Sequence, residues 1–258
     1  MTPKILKILI AGPCVGEHSE NWIVEQAGAI AAQLQSPATS SRYLWIFKCS
    51  FDKANRTDAG SHRGLGLDVT LRAFERIKQM YGCPVTTDIH EVWQAHELRE
   101  TVDVVQLPAM LCRQTDLIHA AGNNALNCIN IKCGTGASAD EMVRAADKSN
   151  KPAWLTYRGT SIANRLFFLP EQVLNLQDAY SGEILVDVTH TARDEERNHN
   201  MPWCEMSMVA AKCAAAIDAD GLFLECHPDP ERALSDSNMQ INIDNLYEFL
   251  GELQWPKN

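Results

Sequence analysis

The sequence has no long apolar run, which argues against a membrane-spanning protein. Only the first residues faintly resemble an export signal, and there Lys7 interrupts an apolar stretch that is already too short for one. No later run approaches the about 20 residues that a helical membrane span needs. We therefore expect a cytoplasmic protein without a membrane partner.

Paired cysteines and glycine-rich nucleotide motifs are also missing. The chain has nine cysteines, an odd number, and none falls in the spacing of a zinc finger or of a secreted disulfide framework. This usage fits a reducing cytosol. No Gly-x-Gly-x-x-Gly follows the first predicted strand, and Gly64-Leu65-Gly66 is too weak a signal for dinucleotide binding. Because no repeat, low-complexity tract or Pro/Gly-rich linker divides the chain, we expect a single domain over residues 1–258.

Positive charge is scarce overall but concentrated in one segment. The chain carries 33 acidic and 23 basic residues, a net charge of -10, so its field repels nucleic acid and anionic membranes. Within residues 47–56, however, Lys48, Lys53 and Arg56 lie beside the hydrogen-bonding side chains of Ser50 and Asn55. This combination predicts a site for a phosphorylated ligand. The alternative is a solvated surface loop.

Strands and helices alternate along the chain. Apolar, β-rich runs are separated by segments with helical spacing, such as the one that follows a Ser19 cap or the one that follows Asp68. Ser138 and Glu141 form a capping-box pattern, and a last helical segment covers residues 243–253. Runs that are apolar on both faces favour a parallel sheet covered by helices, and eight such units predict a (β/α)8 TIM barrel, with an open doubly wound sheet as the alternative. The eight runs are residues 7–11, 44–49, 85–88, 102–107, 128–132, 153–157, 184–188 and 221–225.

Polar residues follow the predicted strands, where a TIM barrel places its reactive groups. They are Cys14, Lys48, Ser50, Asp88, His90, Gln106, Lys132, Arg158, His190, Glu225 and His227. Four residues, Cys14, His190, Glu225 and Asp236, can converge on a divalent metal such as zinc, iron, manganese or cobalt. The alternative is that Cys14 is a small buried hydrophobe and that Asp236 faces solvent.

Several of these segments resemble the 3-deoxy-D-manno-octulosonate 8-phosphate synthases, a family within a phosphoenolpyruvate-dependent superfamily that also holds the heptulosonate 7-phosphate synthases. The matching segments are residues 12–14, 47–56, 87–91, 105–109, 113–116, 187–190 and 225–230, and the string Ser-Phe-Asp-Lys-Ala-Asn-Arg is the most specific. Cysteine at position 14 marks the metal-dependent class of that family. The resemblance implies condensation of phosphoenolpyruvate with D-arabinose 5-phosphate, in a homotetramer.

The resemblance also implies residue roles. Phosphoenolpyruvate would be held by Lys48, Lys53, Lys132 and Arg158. The pentose phosphate would be bound by Asn55, Arg56 and Arg113, and Arg113 would act either from the same subunit or from a neighbouring one. The pocket between them would be lined by Ser50, Asp88, Gln106, Pro108 and Ala109. Catalytic roles fall to Lys48, Lys53, Asp88 and His190, and metal ligation to Cys14, His190, Glu225 and Asp236.

Three loops depart from the family pattern and keep other functions open. Lys132 is followed by Cys-Gly-Thr-Gly, which is closer to the heptulosonate synthases, and Gly159 is followed by Thr-Ser-Ile-Ala-Asn. A highly charged segment without glycine follows His190. The alternatives are the same chemistry on another phosphorylated aldose, such as erythrose 4-phosphate, and a homologue that binds a sugar phosphate without turnover.

Overall fold

The computed structural model describes residues 6–56, 58–162, 165–191, 203–237 and 239–256. Its strands are β1 (Lys7–Gly12), β2 (Tyr43–Lys48), β3 (Val85–Asp88), β4 (Val104–Leu107), β5 (Cys128–Lys132), β6 (Ala153–Tyr157), β7 (Thr160–Ile162), β8 (Arg165–Phe167), β9 (Ile184–Asp187), β10 (Gly221–His227) and β11 (Ile241–Asn242). Its helices are α1 (Glu20–Leu34), α2 (Pro37–Ser40), α3 (Leu67–Tyr81), α4 (Val92–Leu98), α5 (Thr115–Asn124), α6 (Ala139–Ala146), α7 (Pro170–Ala179), α8 (Trp203–Ala216) and α9 (Leu246–Gly251).

Eight parallel strands close into a barrel. The order is β1-β2-β3-β4-β5-β6-β9-β10, and β10 pairs again with β1, with Ile8 opposite Gly221. The two-residue strand β11 adds to the far end of β10. The closed ring confirms the predicted (β/α)8 barrel and rejects the open sheet, because an open sheet leaves its two edge strands unpaired. The single-domain organisation stays a prediction.

Side chains alternate between two apolar layers along the strands. On β1, Ile8 and Ile10 point into the barrel, where they pack with Phe223 of β10. Leu9 and Ala11 point outward and belong to the larger core between the barrel and its helices. This two-sided burial explains why the strands read as nearly continuous apolar runs.

Most helix signals in the sequence are confirmed. Ser19 caps α1 by accepting a hydrogen bond from the Trp22 amide, and Ser138 and Glu141 form a reciprocal capping box at α6. The third helix begins at Leu67 after Gly66, one residue before the expected Asp68, which lies in the first turn. The last segment starts as a 3-10 turn and continues as α9. None of the described helices is long and apolar enough to cross a bilayer.

A short hairpin of β7 and β8 follows the sixth barrel strand and has no counterpart in the sequence prediction. The chain enters it through Gly159 with φ +95°, a conformation that favours glycine. The Ser161 amide donates to the Thr135 carbonyl at 2.8 Å, which ties the hairpin to the loop after β5. Two of the unusual loops therefore contact each other. The third, the charged segment after His190, falls on residues 192–202, outside the described part of the chain.

Candidate active site

One cavity of about 490 Å³ opens at the carboxyl ends of the barrel strands. Side chains from the ends of β2, β3, β4, β5, β6, β9 and β10 meet there, as the barrel prediction required. Among the described residues, five cations and four carboxylates line it. The lining residues are Lys48, Lys53, Ala54, Asn55, Arg56, Asp88, His90, Glu91, Gln106, Pro108, Ala109, Met110, Leu111, Lys132, Arg158, His190, Glu225 and Asp236.

Lys48 at the end of β2 is fully buried beneath the cavity. Its Nζ donates to the Cys14 carbonyl at 2.6 Å and to Glu225 Oε1 at 3.1 Å, and only 1% of either charged side chain is exposed. Close packing of β1 against β2 makes this contact possible, since a Cβ built on Gly12 would lie 1.9 Å from the Lys48 carbonyl oxygen. Only glycine fits at that position.

The cationic loop after β2 is held by its own backbone. The Lys53 amide donates to the Arg63 carbonyl at 2.7 Å, and the Gly66 amide donates to the Phe51 carbonyl at 3.0 Å. The Lys53 Nζ points inward and lies 4.0 Å from Glu225 Oε1. Burial opposes the charge on Lys53, but the acidic groups around it, Cys14 when ionised and Glu225 among them, raise its pKa well above the ordinary value. Lys53 is therefore a fixed cation.

Lys132 and Arg158 extend the cationic wall on the opposite side. Lys132 Nζ lies 2.6 Å from Asp187 Oδ2 and 3.4 Å from the centre of the Phe223 ring. Burial lowers the pKa of Lys132, and Asp187 counteracts this effect. Arg158 makes no hydrogen bond or ion pair with any other residue that the structure describes. Its positive charge acts at longer range on Lys132 and His190. Its guanidinium is free to bind an anion.

Cys14, Glu225 and Asp236 form a candidate metal centre beside these cations. One ligand atom of each lies within 4.8 Å of the others, and Cys14 Sγ is 3.0 Å from Asp236 Oδ2. Glu225 Oε2 is buried without a hydrogen-bond partner among the described residues. Burial and then Glu225 raise the pKa of the Cys14 thiol. A divalent cation suits this donor set, because it would satisfy the orphaned carboxylate oxygen and stabilise the thiolate.

The fourth predicted ligand, His190, lies next to this group of three. Its Nε2 is 4.0 Å from Glu225 Oε2. Its Nδ1 is 2.8 Å from Asp187 Oδ2, but the angle between them is unsuitable for a hydrogen bond. Burial lowers the pKa of His190, with Asp187 opposing, and this favours the neutral imidazole that metals bind. The carboxylate behind the ring is the usual orienting partner of a metal-binding histidine.

Ser50, Asp88 and His90 form a buried polar group at the ends of β2 and β3. Ser50 Oγ donates to Asp88 Oδ1, and His90 Nε2 lies 3.2 Å from Asp88 Oδ2. Burial alone would raise the pKa of Asp88, but His90 and Lys53 hold it well below the usual range. Asp88 is thus an ionised anchor. His90 lines the cavity. The sequence offered it only as a polar residue at a strand end, two residues after Asp88, with no specific role.

Gln106 connects the cavity to a polar row inside the barrel. Thr156 Oγ1 donates to Asn130 Oδ1 at 2.6 Å, and Asn130 Nδ2 donates to Gln106 Oε1 at 3.2 Å. Gln106 itself lines the cavity, so its side chain joins this polar row to the site. Pro108 and Ala109 line the wall above it.

The predicted pentose-phosphate residues separate into two groups. Asn55 and Arg56 line the cavity, and Asn55 Nδ2 donates to the sulfur of Met110 at 3.3 Å. Arg113 lies outside the lining, with 67% of its side chain exposed, and its Nη1 is 2.8 Å from Glu141 Oε1. Within one copy of the chain, Arg113 does not reach the cavity.

Comparisons with known proteins cover almost the whole chain. The family model of the DAHP synthetase I family matches residues 5–256. Among curated proteins, a 2-dehydro-3-deoxyphosphooctonate aldolase of Syntrophotalea carbinolica is 36% identical over 95% of this chain and 88% of its own. Proteins of the same name from Granulibacter bethesdensis and Helicobacter pylori are 34% and 35% identical, over 96% and 98% of this chain and 88% and 95% of their own. The resemblance in the sequence is confirmed, and the chain belongs to the DAHP synthetase I family.

Proposed function

We propose that this protein condenses phosphoenolpyruvate with D-arabinose 5-phosphate and water to give 3-deoxy-D-manno-octulosonate 8-phosphate and inorganic phosphate. The observation that carries the proposal is the convergence of five cations on one cavity in a chain whose net charge is -10. Both substrates are phosphorylated anions that repel each other. Fixed positive charge around both is what brings their reacting carbons within bonding distance. The relatives that carry the octonate aldolase name support this choice of substrates.

Phosphoenolpyruvate fits the inner part of the cavity. Lys48, Lys53, Lys132 and Arg158 surround it, and the barrel strands hold three of them at their ends. Lys48 and Lys132 each keep a carboxylate partner, whereas Arg158 has none among the described residues. We assign the phosphate or carboxylate of phosphoenolpyruvate to Arg158, because its planar guanidinium binds such groups with two parallel hydrogen bonds.

The pentose phosphate fits the outer part of the cavity. Arg56 and Asn55 lie on the loop at its rim and can bind the terminal phosphate, while Gln106, Pro108 and Ala109 line the wall along the sugar. The exposed Arg113 can complete this site only from a neighbouring copy of the chain. We therefore propose a homo-oligomer, a tetramer by family resemblance, in which Arg113 crosses to the next subunit.

Cys14, His190, Glu225 and Asp236 would hold a divalent cation such as zinc, iron, manganese or cobalt. When bound, the cation would polarise the aldehyde or acidify a water molecule. The protein's own groups orient the reactants: Asp88 fixes Ser50 and His90, and the lysines face the oxygen atoms on which negative charge develops. We propose catalytic roles for Lys48, Lys53, Asp88 and His190 on this basis.

The eight described cysteines are all free, which supports a reducing compartment. We accordingly place the protein in the cytoplasm.

A substrate panel tests the proposal. Purified protein with added divalent metal is expected to release phosphate from phosphoenolpyruvate only when arabinose 5-phosphate is present, and to lose this activity with a chelator. Release with erythrose 4-phosphate and none with the pentose would move the protein to the heptulosonate reaction. No product from any phosphorylated aldose, together with thermal stabilisation by phosphoenolpyruvate, would refute an enzymatic function in favour of sugar-phosphate binding.

A further inference from the structure

Two buried side chains outside the cavity connect the loops that carry Cys14 and Asp236. These loops follow β1 and β10, and the two candidate ligands are far apart in the sequence. Glu17 and Gln240 each form hydrogen bonds across the gap, and neither lines the cavity. Their side chains contact no part of the proposed substrate site, so their burial and their partners need another explanation.

Glu17 lies three residues after Cys14, and only 1% of it is exposed. Its Oε1 accepts the Leu234 amide at 2.8 Å, two residues before Asp236. Its Oε2 lies 3.4 Å from His227 Nε2. His227 Nδ1 accepts the Asp229 amide at 3.0 Å, so the proton of the neutral ring is on Nε2, facing Glu17. Both carboxylate oxygens are thereby used.

Gln240 connects the same loops on the other side of Asp236, and only 4% of it is exposed. Its Oε1 accepts the Cys14 amide at 3.1 Å, and its Nε2 donates to the Ser235 carbonyl at 2.9 Å. Ser235 Oγ in turn lies 3.0 Å from Cys14 Sγ. The backbone at Cys14 and the backbone at Ser235 are therefore joined through one amide side chain.

The backbone of Asp236 supplies an independent reason for such support. Its φ is +47°, in the left-handed region that residues other than glycine rarely adopt. A strained conformation of this kind persists only where the surroundings impose it. The hydrogen bonds of Glu17 to Leu234 and of Gln240 to Ser235 hold the chain directly before this residue.

We infer that Glu17 and Gln240 are positioning residues that fix the separation of Cys14 and Asp236 and thereby set the affinity of the site for a divalent cation. The inference rests on the proposed metal centre and deepens it. Residues behind the ligands of a metal site commonly contribute 10- to 100-fold to metal affinity, because they orient ligands before the ion arrives. Neither residue has a role in binding the substrates.

Cobalt titration of the metal-free full-length protein tests the inference without turnover. The near-ultraviolet absorption of a thiolate–cobalt bond reports binding at Cys14, and the titration gives the Kd. Glu17→Met and Gln240→Met keep the side-chain length but remove the hydrogen bonds, and each is expected to weaken cobalt binding about 10- to 100-fold. Glu17→Gln keeps an acceptor for the Leu234 amide and is expected to fall between wild type and Glu17→Met.

Asp103→Asn is the matched control. Asp103 is also buried and accepts a backbone amide, that of Val85 at 2.9 Å, but it lies at the opposite end of the barrel. It should lower the thermal midpoint of the metal-free protein and leave the cobalt Kd within about threefold of wild type. A general loss of stability therefore cannot imitate the expected result.

The outcomes separate the inference from the proposed reaction. Wild-type affinity in both Met variants would overturn the inference, whatever the activity. Weakened cobalt binding in a protein that never forms product would uphold the inference and refute the condensation. No cobalt binding by wild type would overturn the inference, while phosphate release in the presence of chelator would still support the condensation.

Discussion

Replacing Lys48 with methionine removes one partner of a fully buried ion pair. Lys48 Nζ is 3.1 Å from Glu225 Oε1, and both side chains are 1% exposed, so solvent screening does not weaken the pair. Methionine preserves most of the apolar volume. The substitution leaves the charge on Glu225 and the carbonyl of Cys14 without their donor.

The expected loss in the free energy of unfolding is about 3–5 kcal/mol, the usual result of stranding one member of a buried pair. The lower end is favoured, because Lys53 Nζ stays 4.0 Å from Glu225 Oε1. Burial opposes the charge of Glu225, and Lys48 is first among the cations that hold its pKa below the usual range. Without Lys48 that pKa rises. Protonation of Glu225 then relieves the stranded charge, so the deficit should shrink as the pH falls from about 7 to about 5.

Urea denaturation of the metal-free protein measures this loss, with an expected fall in the midpoint of roughly 1 M or more. Lys212→Met is the control, since the pair of Lys212 with Glu252 is half exposed and should contribute at most about 0.5 kcal/mol. Adding Glu225→Gln to Lys48→Met should restore about 2 kcal/mol, because it removes the stranded charge. A Lys48→Met protein within about 1 kcal/mol of wild type, or a double variant less stable than the single one, would refute the reasoning.

Two further predictions concern the cavity and the barrel. Arg158→Gln should raise the KM for phosphoenolpyruvate about 10- to 100-fold, because charged hydrogen bonds to the substrate are lost. The control Arg144→Gln, on the outer face of α6, should leave this KM unchanged. Steady-state kinetics measures both, and an unchanged KM in Arg158→Gln would show that Arg158 does not belong to the site. Gly12→Ala should destabilise the protein by about 3 kcal/mol and abolish activity, because its Cβ would lie 1.9 Å from the Lys48 carbonyl oxygen. In the control Gly251→Ala, the added Cβ meets no atom within 4 Å. Thermal denaturation measures both variants, and equal midpoints would contradict the packing argument.

The barrel strands and the polar residues at their ends could be predicted from the local sequence pattern. Each barrel strand was recognisable from its apolar run, and Lys132 at the end of β5 was recognisable as a candidate site residue. The hairpin of β7 and β8 was not, because its three-residue strands depend on hydrogen bonds to residues outside the hairpin: Tyr157 donates to the Phe167 carbonyl, and the Ser161 amide donates to the Thr135 carbonyl. His90 was visible as a polar residue but acquired a place in the site only through its contact with Asp88.

The sequence by itself determined the alternation of eight strands with helices, the capping signals and the types of side chain at the strand ends, because these depend on residues a few positions apart. Tertiary structure decided which of those side chains meet. Cys14 and Asp236 come together only because β10 pairs with β1, and Arg113 is directed away from the cavity although its motif matches. Distances between residues that are remote in the chain are set by the closure of the barrel and by the packing of its loops, and no local pattern encodes them.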